Sequence, residues 1–325
     1  MHRIDTASRA VDLFGPGKHG FKNGDPLSGD PATALNADWF NGIQEELAAA
    51  IEGTGATLNA ASSTQLLEAI RALAPPSFRN LLINAAFLVN QRVYVSGAAT
   101  MASNQYTLDR WRVVTNGQSV AFSADEIVAP AGGVEQVVEG SNIETGSYVL
   151  DWLGTATATV NGVLVAKRGA VSLTSGSDAT VRFIGGAVRC PQLERGTIAT
   201  PFERRPFGAE LALCQRYYEK SYDLAVAPGT PNAYAGASAA PTQNGALGAV
   251  VIGVRFQTRK RVTPVVATYS PETGTVAHMR DGTGTPSAIS IGGSVGQTGF
   301  RAYNSGFALA ANSEARMHWV ADAEL

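Results

Sequence analysis

At 325 residues the chain has room for two or three domains, each with its own buried core. With 45% apolar and only 16% charged residues, and 35 glycines, the composition favours β-rich, self-associating modules over a helical enzyme. A net charge of −2 excludes a bulk field able to hold nucleic acid or an anionic membrane, and no run of about 18 apolar residues is present to span a bilayer.

Residues 1–36 are rich in Gly, Pro, Asp and Asn and lack periodicity, which predicts extended chain that orders on a partner surface. The start, His2-Arg3-Ile4-Asp5, is not followed by an apolar core, so no secretion signal is expected. Within this head, FGPGKHGF (residues 14–21) has the glycines and lysine of a phosphate cradle. A phosphate loop, however, needs Ser or Thr after the lysine and a helix directly behind it. Here His19 follows Lys18 and the first helix begins some twenty residues later, so the glycines read as joints.

Trp39, Ile43, Leu47 and Ile51 recur at four-residue steps and predict a helix, capped by Asn36 or Asp38 and ended by Gly53 in a left-handed turn. A second helix is expected from Ser62, with Ser62 and Gln65 as a capping box and Leu66, Leu67, Ile70 and Leu73 on the buried side. Pro75-Pro76 stops it. The first 78 residues carry five Lys/Arg against nine Asp/Glu, an acidic head suited to docking or solubility.

From Asn80 short apolar runs such as SYVLDWLG, ATATVNGVLVAK and ATVRFIGGAVRC alternate with Gly, Asn and Ser, which predicts an antiparallel sandwich or jelly roll over residues 79–207. Asp109-Arg110-Trp111 opens one strand as a structural element. GAELALCQRYYEKSYD then predicts a neck helix within 208–224, with Leu211, Cys214, Tyr218 and Tyr222 at seam spacing. A lone helix between two β regions needs identical helices of sister chains to pack on. Residues 225–325 return to strands joined by long polar loops, where binding usually resides.

The chemistry-bearing types are sparse. Cys190 and Cys214 fit no metal or redox spacing and read as buried thiols, and the four histidines are scattered, so no metal site is expected. No Gly-x-Ser-x-Gly elbow is present, and Glu45-Glu46 and Asp125-Glu126 read as solvated acids. RFQTRKR (255–261) splits its charges between two strand faces, with Arg259 and Arg261 opposite Lys260, and reads as a solvent rim. Rings beside Asn, Asp or Arg suit sugar faces and hydroxyls. Tyr303-Asn304, His278 with Arg280 and Asp281, and His318-Trp319 fit this pattern, with core packing as the competing reading for Tyr303 and Trp319.

Three stretches resemble tail fibre proteins of tailed bacteriophages and prophages. MHRIDTASRAVDLFGPGKHGFKNGDP with ATALNADWFNGIQEELAAAIE is similar to their N-terminal attachment segment. NLLINAAFLVNQR, LDRWR and PQLERGTIATPFERRPFGAELALCQRYYEKSYD resemble their middle module, itself similar to carbohydrate-binding jelly rolls, and their neck. VTPVVATYSPETG resembles their distal domain. Ala85-Ala86 departs from the Gly-Asp of the family, so no ligand is carried to that edge.

The resemblance implies a homotrimeric fibre located in the virion tail, and with it the residues are read as a mainly β binding protein for which no catalysis and no cofactor are expected. Arg3, Asp5, Phe14, Gly17, Phe21 and Trp39 would attach it to tail or baseplate proteins. Leu211, Cys214, Tyr218 and Tyr222 would form the trimer neck, and Tyr303, Asn304, His278, Arg280 and Trp319 would meet a host glycan or surface protein. The rival readings are a tail-borne polysaccharide depolymerase and a purely structural tail-tip component.

Overall fold

The computed structural model describes residues 2–73, 77–241, 248–281, 284–292, 295–307 and 314–325. It is mostly antiparallel β-structure with three short α-helices, and it divides into two units, Met1–Pro76 and Ser77–Leu325.

The head of the first unit is looped rather than extended. Ala10 and Gly20 form a two-way backbone bridge at 2.9 Å, and Asp25 and Asp30 form another. Thr6 and Ser8 tie this chain to Ala34 through their hydroxyls. Short polar side chains thus supply what a periodic pattern does not. Helix α1 (Ala37–Glu52) begins where the Asn36 side chain accepts the Trp39 amide at 3.2 Å. Gly53 stays right-handed at its end, and the left-handed residue is Gly55, at φ +83°. Helix α2 (Gln65–Leu73) starts three residues later than expected, because Gln65 reaches back to Thr57 and Asn59 instead of closing a box with Ser62.

The expected interior of this hairpin is largely outside. Ala48 and Ala69 are buried, whereas Leu47, Leu66, Leu67, Ile70 and Leu73 are exposed, Ile70 at 56% and Leu73 at 59%.

The second unit opens with a stretch held by amide side chains. Asn84, fully buried at φ +55°, donates to the carbonyls of Val89 and Asp109 and accepts the Val89 amide, while its own carbonyl accepts the Trp111 indole. Eleven strands then build the sandwich: β1 (Gln105–Tyr106), β2 (Arg112–Val113), β3 (Ala121–Ser123), β4 (Glu126–Ala129), β5 (Val134–Val138), β6 (Gly146–Leu153), β7 (Thr157–Val160), β8 (Val163–Val165), β9 (Gly169–Leu173), β10 (Ala179–Ile184) and β11 (Gly186–Arg195). One sheet runs β1-β2-β5-β10-β7-β8 and the other β3-β4-β11-β6-β9. Val134, Val181 and Phe183 of the first, with Trp111 just before β2, meet Ile127, Leu150, Trp152 and Leu193 of the second in a shared core.

The neck differs from its expected form. Helix α3 (Phe207–Gln215) is nine residues long, and the chain then enters strand β12 (Tyr218–Lys220). Tyr218–Lys220 pairs with Val320–Asp322 of the last strand, and that pairing overrides the helical spacing. Tyr218 and Tyr222 therefore lie outside the helix. Cys214 packs with Ile83, Val89 and Tyr217 of its own chain, and Leu211 adjoins that cluster.

The distal part consists of β13 (Ser238–Pro241), β14 (Gly248–Arg255), β15 (Val265–Tyr269), β16 (His278–Arg280), β17 (Pro286–Ala288), β18 (Gly299–Phe307) and β19 (Glu314–Asp322). The long β19 pairs with β12, β13, β15 and β16, and β14 pairs with β18. Met279, Met317, Trp319, Ile252 and Phe300 form a second core. The expected basic cluster is split, with Lys260 and Arg261 turned inward while Arg255 and Arg259 stay exposed. Lys260 is fully buried on Glu219 and the Gln215 and Thr258 carbonyls, Arg261 donates to the Ala323 and Glu324 carbonyls, and Arg259 holds Gln297.

Candidate functional site

The loop over residues 221–237 lies on the distal sheet, fixed there by hydrogen bonds and one ring stack. Lys220 donates to the Leu224 and Val226 carbonyls at 2.9 and 2.6 Å. The Tyr222 ring stacks on His318 with centroids 3.7 Å apart, and His318 Nε2 bonds the Ala233 carbonyl at 2.8 Å. The amides of Asn232 and Ala233 donate to Glu272 and Pro271 in the 270–275 turn. Gly229 and Gly274 let loop and turn meet: a Cβ on Gly274, which has φ +72°, would lie 2.0 Å from the Gly229 carbonyl oxygen.

This scaffold presents Tyr234, 38% exposed, beside two strand ends. The Tyr234 hydroxyl donates to Glu272, whose same oxygen accepts Arg280 Nε at 3.2 Å, and the Arg280 guanidinium lies 6.0 Å from the Tyr234 ring centre. Arg280 of β16 is the register partner of Arg316 of β19, and Arg316 is paired with Glu314 at 2.7 Å. The bond to Glu272 raises the Tyr234 pKa, with the two nearby arginines opposing it. The result is an exposed ring bonded to Glu272, with Arg280 and Arg316 nearby and Glu314 held on Arg316, a set able to stack on a sugar face while accepting from and donating to hydroxyls.

Of the expected receptor residues, Arg280 alone belongs to this cluster. His278 and Asn304 converge elsewhere, at Ala288, which is the register partner of His278 and whose carbonyl accepts the Asn304 side-chain amide. Tyr303 is exposed and bridges Ser290 through its backbone, its ring close against Gly292. Trp319 is no surface ring. At 5% exposure it packs on Phe256 and Phe300, and its indole donates to Ser238. Strand alternation puts its neighbours Arg316 and His318 on the opposite face. Tyr234, Glu272, Arg316 and Glu314 were missed from sequence. The one available signal was Tyr234, a lone aromatic ring in the small-residue run APGTPNAYAGAS (227–238).

The neck residues are spent within the chain. Tyr218 lies beneath the Arg92 guanidinium at 3.7 Å, and Tyr222 beneath His318. In the first unit Arg3, Asp5, Phe14, Gly17 and Phe21 are exposed, and Trp39, half-buried, meets Phe21 edge-on at 4.9 Å. The Gly17 amide donates to the Asp12 carboxylate at 2.7 Å, so the chain's own anion occupies the position a phosphate would take. Among the described residues no group of three His, Cys, Asp or Glu could hold a metal ion, and no helix is long and apolar enough to cross a membrane. Cys190, half-buried, and Cys214, buried, are free thiols, and burial pushes the Cys214 pKa well up. A groove of about 370 Å³ beside β3 and β4 is lined by Gly117, Gln118, Val128 and Pro130 among others, with no ionisable side chain.

No family model matches the chain. Over 73 residues, 22% of its length, it is 51% identical to "Uncharacterized protein StfP" of Escherichia coli (strain K12). The match covers 35% of that protein, so the chain spans about a third of this curated relative.

Proposed function

We propose that the protein is a receptor-binding fibre of a bacteriophage or prophage tail. Its first unit docks on a tail or baseplate protein, and the second presents the Tyr234 cluster to a host surface glycan. It acts by binding, without catalysis, and as a homotrimer whose repeated weak sites gain avidity of about 10²–10⁴. The carrying observation is the contrast between the units. The first leaves the leucines and Ile70 of α1 and α2 in solvent beside an acidic rim, a surface that favours a protein partner. The second builds hydrophobic cores in its sandwich and in its distal part, and shows at its surface the aromatic–polar cluster around Tyr234.

Three experiments test this reading. Fluorescently labelled full-length protein should adsorb to host cells and be displaced by purified surface polysaccharide; absence of adsorption on every candidate host would refute it. Light scattering should give the mass of three chains. Replacing Leu67 and Ile70 with aspartate should leave the melting temperature within a degree or two, since both are exposed, and should abolish capture by the tail.

A further inference from the structure

Arg280 and Arg316 stand directly opposite each other where β16 meets β19. Like charges at opposed strand positions destabilise a sheet, so the pairing needs compensation. It comes from Glu272 beside Arg280, at 3.2 Å, and Glu314 beside Arg316, at 2.7 Å. All four side chains remain partly exposed, at 31% and 35% for Arg280 and Glu272 and 38% and 43% for Arg316 and Glu314. At such exposure an ion pair is worth only about 0–1 kcal/mol, so an incoming anion displaces Glu314 from Arg316 at little cost while Glu272 stays on Arg280 and Tyr234.

We infer that the Arg280–Arg316 pair is a subsite for the anionic group of an acidic sugar, a carboxylate or a phosphate, whose ring stacks on Tyr234. The inference deepens the glycan-binding reading and rests on it. Guanidiniums present planar donor forks that match both anions, and two of them side by side hold one anion by charge-assisted bonds from each. Tyr234 supplies the apolar platform, and the shared Glu272 oxygen holds ring and Arg280 in fixed relation. Glu272 and Glu314 are then internal counter-ions that keep the empty site neutral. They set a threshold that a neutral sugar does not overcome by charge and an acidic sugar does.

The test is ligand-observed NMR titration of the full-length protein with three probes: methyl β-D-glucoside, methyl β-D-glucuronide and glucose 6-phosphate. At least one acidic probe should bind tenfold or more tighter than the glucoside, and whichever binds tighter identifies the anion as carboxylate or phosphate. Arg280→Gln and Arg316→Gln should each remove the preference for the acidic probe, bringing its affinity down to that for the glucoside, with the melting temperature within a degree or two of the wild type. Glu314→Gln is the sharper variant. By freeing Arg316 from its counter-ion it should tighten the acidic probe several-fold, which a merely structural ion pair would not do. Equal binding of the neutral and acidic sugars, or no binding of either acidic probe, overturns the subsite. If cells are still adsorbed in that case, the glycan-binding reading stands and only the anion preference falls. Loss of both overturns both.

Discussion

Trp319 and Tyr303 are both aromatic residues on distal strands, yet opposite outcomes are expected on replacing them with alanine. Trp319 lies between Phe256 and Phe300, so truncation leaves a cavity and should cost about 3–5 kcal/mol of unfolding free energy. Tyr303 is exposed, and its loss should cost below about 1 kcal/mol. Urea unfolding of the two variants checks this, and comparable losses would refute the assigned positions. His318 gives a pH prediction. Burial lowers its pKa from the ordinary value, against the opposing bond to the Ala233 carbonyl and the nearby Asp223. The folded state therefore binds fewer protons than the unfolded one below about pH 6.5. The stability from neutral His318 is complete above that pH and is lost as pH falls toward the lowered folded value. A His318→Gln variant should accordingly show a shallower decline in melting temperature between pH 7 and pH 5 than the wild type.

At the scale of elements, the 221–237 loop depends on a backbone approach that no side chain can enter. Gly274→Ala adds a Cβ where the Gly229 oxygen stands, at a left-handed φ. The loop should lift, with protease cleavage appearing within 221–237 and sugar binding lost, while the sandwich stays resistant. Uncut protein would show that the turn relaxes elsewhere. This approach was invisible in the sequence, because Gly229 and Gly274 are 45 positions apart in loops with many glycines. The sandwich strands were legible, since period-two alternation in runs such as ATVRFI is local information. The neck, by contrast, is decided by distant pairing. Leu211, Cys214, Tyr218 and Tyr222 satisfy a helical period, but Tyr218 and Lys220 gain backbone partners on β19, some hundred residues away. The site divided along this line too. Arg280 was visible beside polar neighbours, whereas Arg316 and Glu272 join it only through strand register and a turn.

Across the whole second unit, the sandwich and the distal sheet are joined by buried charge rather than by a flexible neck. Arg110 and Arg92, from the sandwich, both reach Glu324 just beyond β19, and Arg92 also lies 3.3 Å from Asp322 and 3.7 Å from Asp109. Arg110 stacks on Tyr217 at 3.5 Å, and Arg112 donates to the Leu325 carbonyl at 2.6 Å. Burial pushes the Glu324 pKa up and the arginines pull it back, so the carboxylate depends on both of them. Removing one partner of such a buried set leaves an uncompensated charge and costs about 3–5 kcal/mol. Glu324→Gln should therefore destabilise the junction itself. In the wild type, fluorescence from the sandwich tryptophans Trp111 and Trp152 and from the distal Trp319 should report one unfolding transition, measured in variants that keep one reporter region at a time. In Glu324→Gln the Trp319 transition should move to lower urea while the sandwich transition holds. If both moved together by the same amount, the charge cluster would belong to one indivisible core, and distal contacts at the Tyr234 cluster would be rigidly coupled to the sandwich whatever the state of Glu324.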